Sequence, residues 1–159
     1  MVLAVLLTIG SGSVVRADFY DGYTAYQSKD YATAFRIWKP LAEQGNGSSA
    51  FNIGVMYENG QGFVANSKMA VFWYRKAAAY GDTSAQNRLG WMYEQGYGVL
   101  PDIELAHMWY NVSGVNGLKA GANNRNRLDN QWFLNSQRFD NARRLARKCL
   151  KQNNKNCGK

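Results

Sequence analysis

The chain has 159 residues, 46% hydrophobic and 19% charged, with a formal net charge of +8. That length holds one domain or a short stack of repeats, and the apolar content excludes a disordered chain. No apolar run approaches the roughly 20 residues that a helix needs to cross a bilayer, so no transmembrane helix is expected in this chain.

The N-terminus reads as a targeting segment. Val2 to Ile9 is apolar apart from Thr8, and Ser11, Gly12 and Ser13 lead into Val15-Arg16-Ala17. Small or modest side chains at Val15 and Ala17 suit the −3 and −1 positions of a signal-peptidase site. A signal peptide over residues 1–17, cut before Asp18, is therefore expected, with the mature chain periplasmic or secreted. The alternative is a buried N-terminal helix; the helical pattern begins only after Ala17, which favours the leader.

Beyond it the sequence repeats itself at a spacing of 36 residues. Ile53-Gly54 returns as Leu89-Gly90, and Met56-Tyr57-Glu58 as Met92-Tyr93-Glu94. Gly60 and Gly62 return as Gly96 and Gly98, Asn66 as Asp102, Ala70 as Ala106, Trp73-Tyr74 as Trp109-Tyr110, and Gly81 as Gly117. In the other direction Gly81 maps to Gly45, Ala78 to Ala42 and Ala70 to Ala34. Each unit reads as two helices, A and B. Helix A of the middle unit is predicted from about Ser48 to Asn59, with Ser49, Ile53 and Tyr57 on one face. A glycine inside a helix costs about 1 kcal/mol relative to alanine, so the recurrence of Gly54 as Gly90 predicts a close approach by a neighbouring helix. Gly60 to Gly62 and Gly96 to Gly98 follow a helix and no strand, which makes them helix-ending turns rather than phosphate loops. Asn66 and Asp102 are expected to cap helix B. Trp73, Tyr74, Trp109 and Tyr110 are expected to fill the space between helices.

The last segment differs in charge. From Lys119 onward eleven basic residues face two acidic ones, a balance of +9 against −1 for the rest. A basic end can meet nucleic acid, lipid head groups or an acidic protein. The preferred reading is a solvated face that aids solubility, because the basic residues scatter around the helix and export removes nucleic acid as a target. The two cysteines, Cys149 and Cys157, both fall in this region. In an oxidising compartment an even count predicts one short-range disulfide in preference to two free thiols.

Leu89-Gly90-Trp91-Met92-Tyr93, then Gly96-Tyr97-Gly98-Val99, Asp102, Leu105-Ala106, Trp109-Tyr110 and Gly117 resemble the Sel1-like repeat, a relative of the tetratricopeptide repeat with a longer unit. The resemblance is specific over residues 46–117. It implies an all-α fold: a right-handed α/α solenoid of helix-pair repeats over residues 18–150. Full repeats occupy 46–81 and 82–117. A shortened first unit occupies 20–45, with Tyr31, Ala34, Phe35, Trp38, Leu41 and Ala42 on its second helix. A capping helix pair covers 118–150, and a polar tail follows over 151–159.

The resemblance also implies a binding or adaptor protein, with protein partners and possible envelope or cell-wall components, in a bacterial envelope. An envelope enzyme, or a peptidoglycan- or β-lactam-binding protein of the disulfide-containing type, is the alternative. In related solenoids the A helices line the concave surface. Its variable positions here are expected near Asn52, Val55 and Met56, and near Arg88, Trp91 and Met92. Trp91 leads as an anchor because its counterpart is only Val55.

The sequence shows no catalytic signature. His107 stands alone, with Val71 at the equivalent position, and reads as packed or surface. Metal sites need clustered ligands, and none is apparent, so neither metal nor cofactor is expected. Glu58 and Glu94 recur at the repeat spacing, which is read as solvent exposure at a helix end.

Overall fold

The structure, a computed structural model, describes residues 6–8, 14–16, 18–131, 136–154 and 157. Leu6–Thr8 (β1) and Val14–Arg16 (β2) pair antiparallel, with Leu7 opposite Val15. The remainder of the expected leader lies outside the described residues. From Asp18 onward the described chain is helical: α1 (Phe19–Gln27), α2 (Tyr31–Glu43), α3 (Gly47–Asn59), α4 (Ser67–Ala79), α5 (Thr83–Gln95), α6 (Ile103–Val115), α7 (Lys119–Gln131) and α8 (Ser136–Lys151). The odd-numbered helices are the A helices and the even-numbered ones the B helices. This is the expected right-handed α/α solenoid.

Local chemistry fixes where each helix starts and stops. Asp18 opens α1 with a capping box: its carboxylate accepts from the amides of Tyr20 and Asp21, and Asp21 accepts the Asp18 amide at 2.8 Å. Asn46 and Asp82 cap the A helices of the two central units, and Asn66 and Asp102 cap their B helices. Each side chain accepts an amide that the first turn would otherwise leave without a partner. Both central A helices end on a glycine, Gly60 or Gly96, at φ 69°, a left-handed conformation that a Cβ disfavours.

Each helix from α1 to α6 packs on its successor, and α8 lies against α6. The core runs through the stack without a break, from Trp38 through Ile53, Met56, Leu89, Met92 and Met108 to Leu128 and Phe139. Cys149 and Cys157 form a disulfide, with their Cα atoms 5.1 Å apart. Between them the tail turns back, so that the Asn116 amide donates to Asn154 Oδ1 at 3.3 Å.

Candidate interaction surface

Gly54 and Gly90 mark where adjoining helices come closest. A Cβ on Gly54 would lie 2.7 Å from the Tyr74 ring, and one on Gly90 would lie 2.5 Å from the Tyr110 ring. The missing side chain lets each tyrosine of helix B lie flat against helix A, with its hydroxyl reaching the far end of that helix. Tyr74 donates to Glu58 at 2.7 Å, and Tyr110 donates to Glu94 at 2.8 Å. Burial, reinforced by the hydrogen bond to Glu58, holds the Tyr74 phenol well above its ordinary range; burial and Glu94 do the same for Tyr110.

The same carboxylates then reach into the next unit. Arg88 of α5 forms an ion pair with both oxygens of Glu58, and Arg127 of α7 does so with Glu94. Glycine, tyrosine, glutamate and the following unit's arginine thus form one joint, made twice. Exposure does not explain the recurrence of Glu58 and Glu94, because the Glu58 side chain is only 9% exposed. Its burial depends on an arginine 30 residues away, which the repeat pattern does not announce.

The six expected surface residues divide by depth. Met56 and Met92 are fully buried and belong to the core, which leaves them no surface to offer a partner. They lie three residues beyond Ile53 and Leu89 on the inward side of their helices. Asn52, Val55, Arg88 and Trp91 are partly exposed. Arg88 and Trp91 come together: the guanidinium lies 4.1 Å from the Trp91 ring centroid, and Tyr97 meets the same ring edge-on at 5.7 Å. Arg88 therefore joins units while covering one face of Trp91. Beside it, Asn124 of α7 donates to Asn87 of α5 at 3.0 Å. The resulting surface offers an indole, a guanidinium and side-chain amides, which can take up a peptide's apolar groups and its backbone carbonyls.

His107 is fully buried in α6. Its ring stacks on Phe139 of α8, with centroids 4.4 Å apart, and its Nε2 faces Asp129 of α7 at 3.0 Å. Asp129 also accepts from Arg143 of α8 at 2.8 Å. Burial pushes the imidazole below its ordinary range, opposed by Asp129. A neutral ring donating from Nε2 satisfies this contact, so the pair ties the cap to α6 without exposing a base to solvent. Among the described residues, no group of three or more His, Cys, Asp or Glu side chains is placed to hold a metal ion, and no helix is long and apolar enough to cross a membrane.

The family model of the Sel1 repeat matches residues 19–46, 47–82 and 83–112. The chain is similar to a protective antigen of uropathogenic Escherichia coli strains that displays an SLR fold, with 25% identity and a TM-score of 0.76 over 84% of this chain and 29% of that one. It is similar to a Sel1 repeat protein from Oxalobacter formigenes, with 29% identity and a TM-score of 0.66 over 70% of this chain and 46% of that one. Cysteine rich protein B of Helicobacter pylori shares the fold at 20% identity, with a TM-score of 0.56 over 72% of this chain and 98% of that one. The chain thus spans less than half the length of the first two. No curated protein matches it in sequence.

Proposed function

Because the chain belongs to the Sel1 repeat family, whose members generally mediate protein–protein interactions, we propose that it is an exported, non-catalytic binding module of the bacterial envelope that holds a protein partner against its A-helix surface. The observation that carries this reading is Trp91. The repeat places valine at the equivalent position, yet here a partly exposed indole stands between Arg88 and Tyr97. Large aromatic and guanidinium groups concentrate binding energy at protein interfaces. Asn52 and Val55 extend the same surface into the preceding unit.

Three features support export. The two cysteines are bridged, and disulfides persist in oxidising compartments. The apolar stretch ends in Val15-Arg16-Ala17, and the next residue, Asp18, opens the first helix of the solenoid. Recovery from the envelope fraction with Asp18 as first residue is the expected result of N-terminal sequencing; full-length protein confined to the cytosol would refute it.

Affinity capture tests the surface. Trp91→Ala is expected to weaken retention of the partner at least tenfold, or about 1.4 kcal/mol, with helical circular dichroism unchanged. Arg88→Ala is the poorer probe, because it also frees Glu58. Undiminished retention by a folded Trp91→Ala variant would refute the A-helix reading.

A further inference from the structure

The two helix layers do not share the chain's charge. Helices α1, α3, α5 and α7 together carry four basic and four acidic residues, whereas α2, α4, α6 and α8 carry eleven basic and three acidic ones. The B helices therefore account for all of the net +8.

The greatest concentration lies on α8. Phe139, Ala142, Ala146 and Cys149 form its buried side. Opposite them Arg144, Arg147, Lys148 and Lys151 are all exposed. Their i, i+3, i+4, i+7 spacing places them in one stripe. Among the described residues none of the four has an acidic partner, and Arg144 donates only to Asn141, at 2.8 Å. Arg143, one position away, is held by both Asp129 and Asp140. Like charges three and four residues apart weaken a helix, and the helix dipole offsets this only for the last turn. A face that served solubility alone would intersperse the two signs.

We propose that this stripe docks the protein on an anionic phospholipid membrane. Two features select a bilayer over other polyanions. The stripe lies on the outside of a helix, and Phe139, the one aromatic residue in α8, is buried, so no ring alternates with the four cations as a stacking platform would require; the exposed Tyr80 lies beyond the end of the stripe. The end of the stripe is also flanked by apolar side chains. Asn154 contacts Asn116 and lies beside Gly81, so the C-terminal ends of α4, α6 and α8 meet at one end of the molecule. There Val115 is 60% and Tyr80 46% exposed. Cations that meet lipid phosphates, next to apolar groups that enter the headgroup boundary, are the chemistry of an interfacial anchor. The docking does not rest on the A-helix reading, because α8 belongs to the other layer and leaves Trp91 free.

Sedimentation with vesicles tests the proposal. Wild-type protein is expected to bind mixed phosphatidylglycerol–phosphatidylcholine vesicles, less tightly as salt rises, and not vesicles of phosphatidylcholine alone. The combined variant Arg144→Gln, Arg147→Gln, Lys148→Gln, Lys151→Gln is expected to bind at least about thirtyfold more weakly. Removing the same charge elsewhere, by Lys29→Gln, Arg36→Gln, Lys39→Gln and Lys68→Gln, is expected to leave binding within about threefold if the stripe and not net charge carries it. Trp91→Ala is expected to bind vesicles as wild type does, which separates this proposal from the A-helix one. Equal losses in the two charge variants, no binding at low salt, or release of the vesicles by duplex DNA would overturn it. If the α8 variant loses helicity, Tyr80→Ser with Val115→Ser reads the docking from its apolar side. Severalfold weaker binding is then expected, and unchanged binding would overturn the proposal.

Discussion

The central joints and the C-terminal cap close the same kind of gap with different chemistry. At Gly54 and Gly90 the gap is closed by removing a side chain, laying a tyrosine in its place and ending the tyrosine on a glutamate shared with the next unit. At the cap, His107 fills the place that valine holds in the preceding unit. Its partners Asp129, Arg143 and Phe139 have no counterparts earlier in the chain. The glycine, tyrosine and glutamate recur and carry one joint as far as α7, through Arg127, whereas the rest of the contact with the diverged cap is closed by residues used once.

Steric strain at the glycines is the strongest test of that contrast. Gly90→Leu and Gly54→Leu are each expected to lower stability by about 3 kcal/mol through overpacking, read as a shift in the urea unfolding midpoint. The tyrosine rings cannot swing aside without abandoning Glu58 or Glu94. A rise in stability for both variants would show these glycines to be helix defects and remove the close-packing account.

Breaking the carboxylate comes next. Glu58→Ala leaves a buried tyrosine hydroxyl and an arginine without their acceptor, and about 2 kcal/mol is the expected loss, discounted because Arg88 is partly in water. Glu94→Ala should behave alike, since its joint has the same parts. A clear inequality between them would mean that the two arginines, which stand at different positions of the repeat, hold their carboxylates differently.

The disulfide and the histidine probe the cap. Cys149→Ser with Cys157→Ser is expected to lower stability by at most about 2.5 kcal/mol, because the loop it opens is short. Amide exchange should quicken in α8 and stay unchanged in α3 and α4.

Acid should act on the cap most weakly. His107 is held below the ordinary histidine value of 6.5 in the folded chain, so the unfolded chain takes up the proton first. Stability is then full above about pH 6.5 and falls as pH drops through the folded value. The neighbouring charges are Asp129 and Arg125 on α7 and Arg143 on α8, and Asp129 limits the effect. His107→Leu should flatten the pH dependence in this window; a slope unchanged by that substitution would assign it to other groups.

What was legible in the sequence follows the same division. The unit length, the caps at Asn66 and Asp102, the turns at Gly60 and Gly96, the close approach at Gly54 and Gly90 and the Cys149–Cys157 bridge all rest on local chemistry or on recurrence, and the structure shows each of them. The environment of Glu58 was misread because a charged residue near a helix end is exposed unless something distant covers it, and Arg88 is that distant residue. The depth of Met56 was available from helical geometry, since Ser49, Ile53 and Met56 share one face of α3. Its assignment to the outer surface followed its neighbours Asn52 and Val55, although its return as Met92 marks a position that the repeat holds fixed. For His107 the valine at the equivalent position foretold burial, but nothing in the pattern foretold Asp129.

The joint between units also decides which of them can be copied in tandem. Were residues 83–118 duplicated in line, Glu94 of the first copy would meet a second Arg88, and the new seam would reproduce the one between Glu58 and Arg88. Were residues 47–82 duplicated instead, Glu58 of the first copy would meet Asn52 of the second, a neutral amide in place of a cation, and a nearly buried carboxylate would lose its countercharge. The third unit can therefore follow itself and the second cannot, so lengthening of this protein by gene duplication has one permissive starting point among its central repeats.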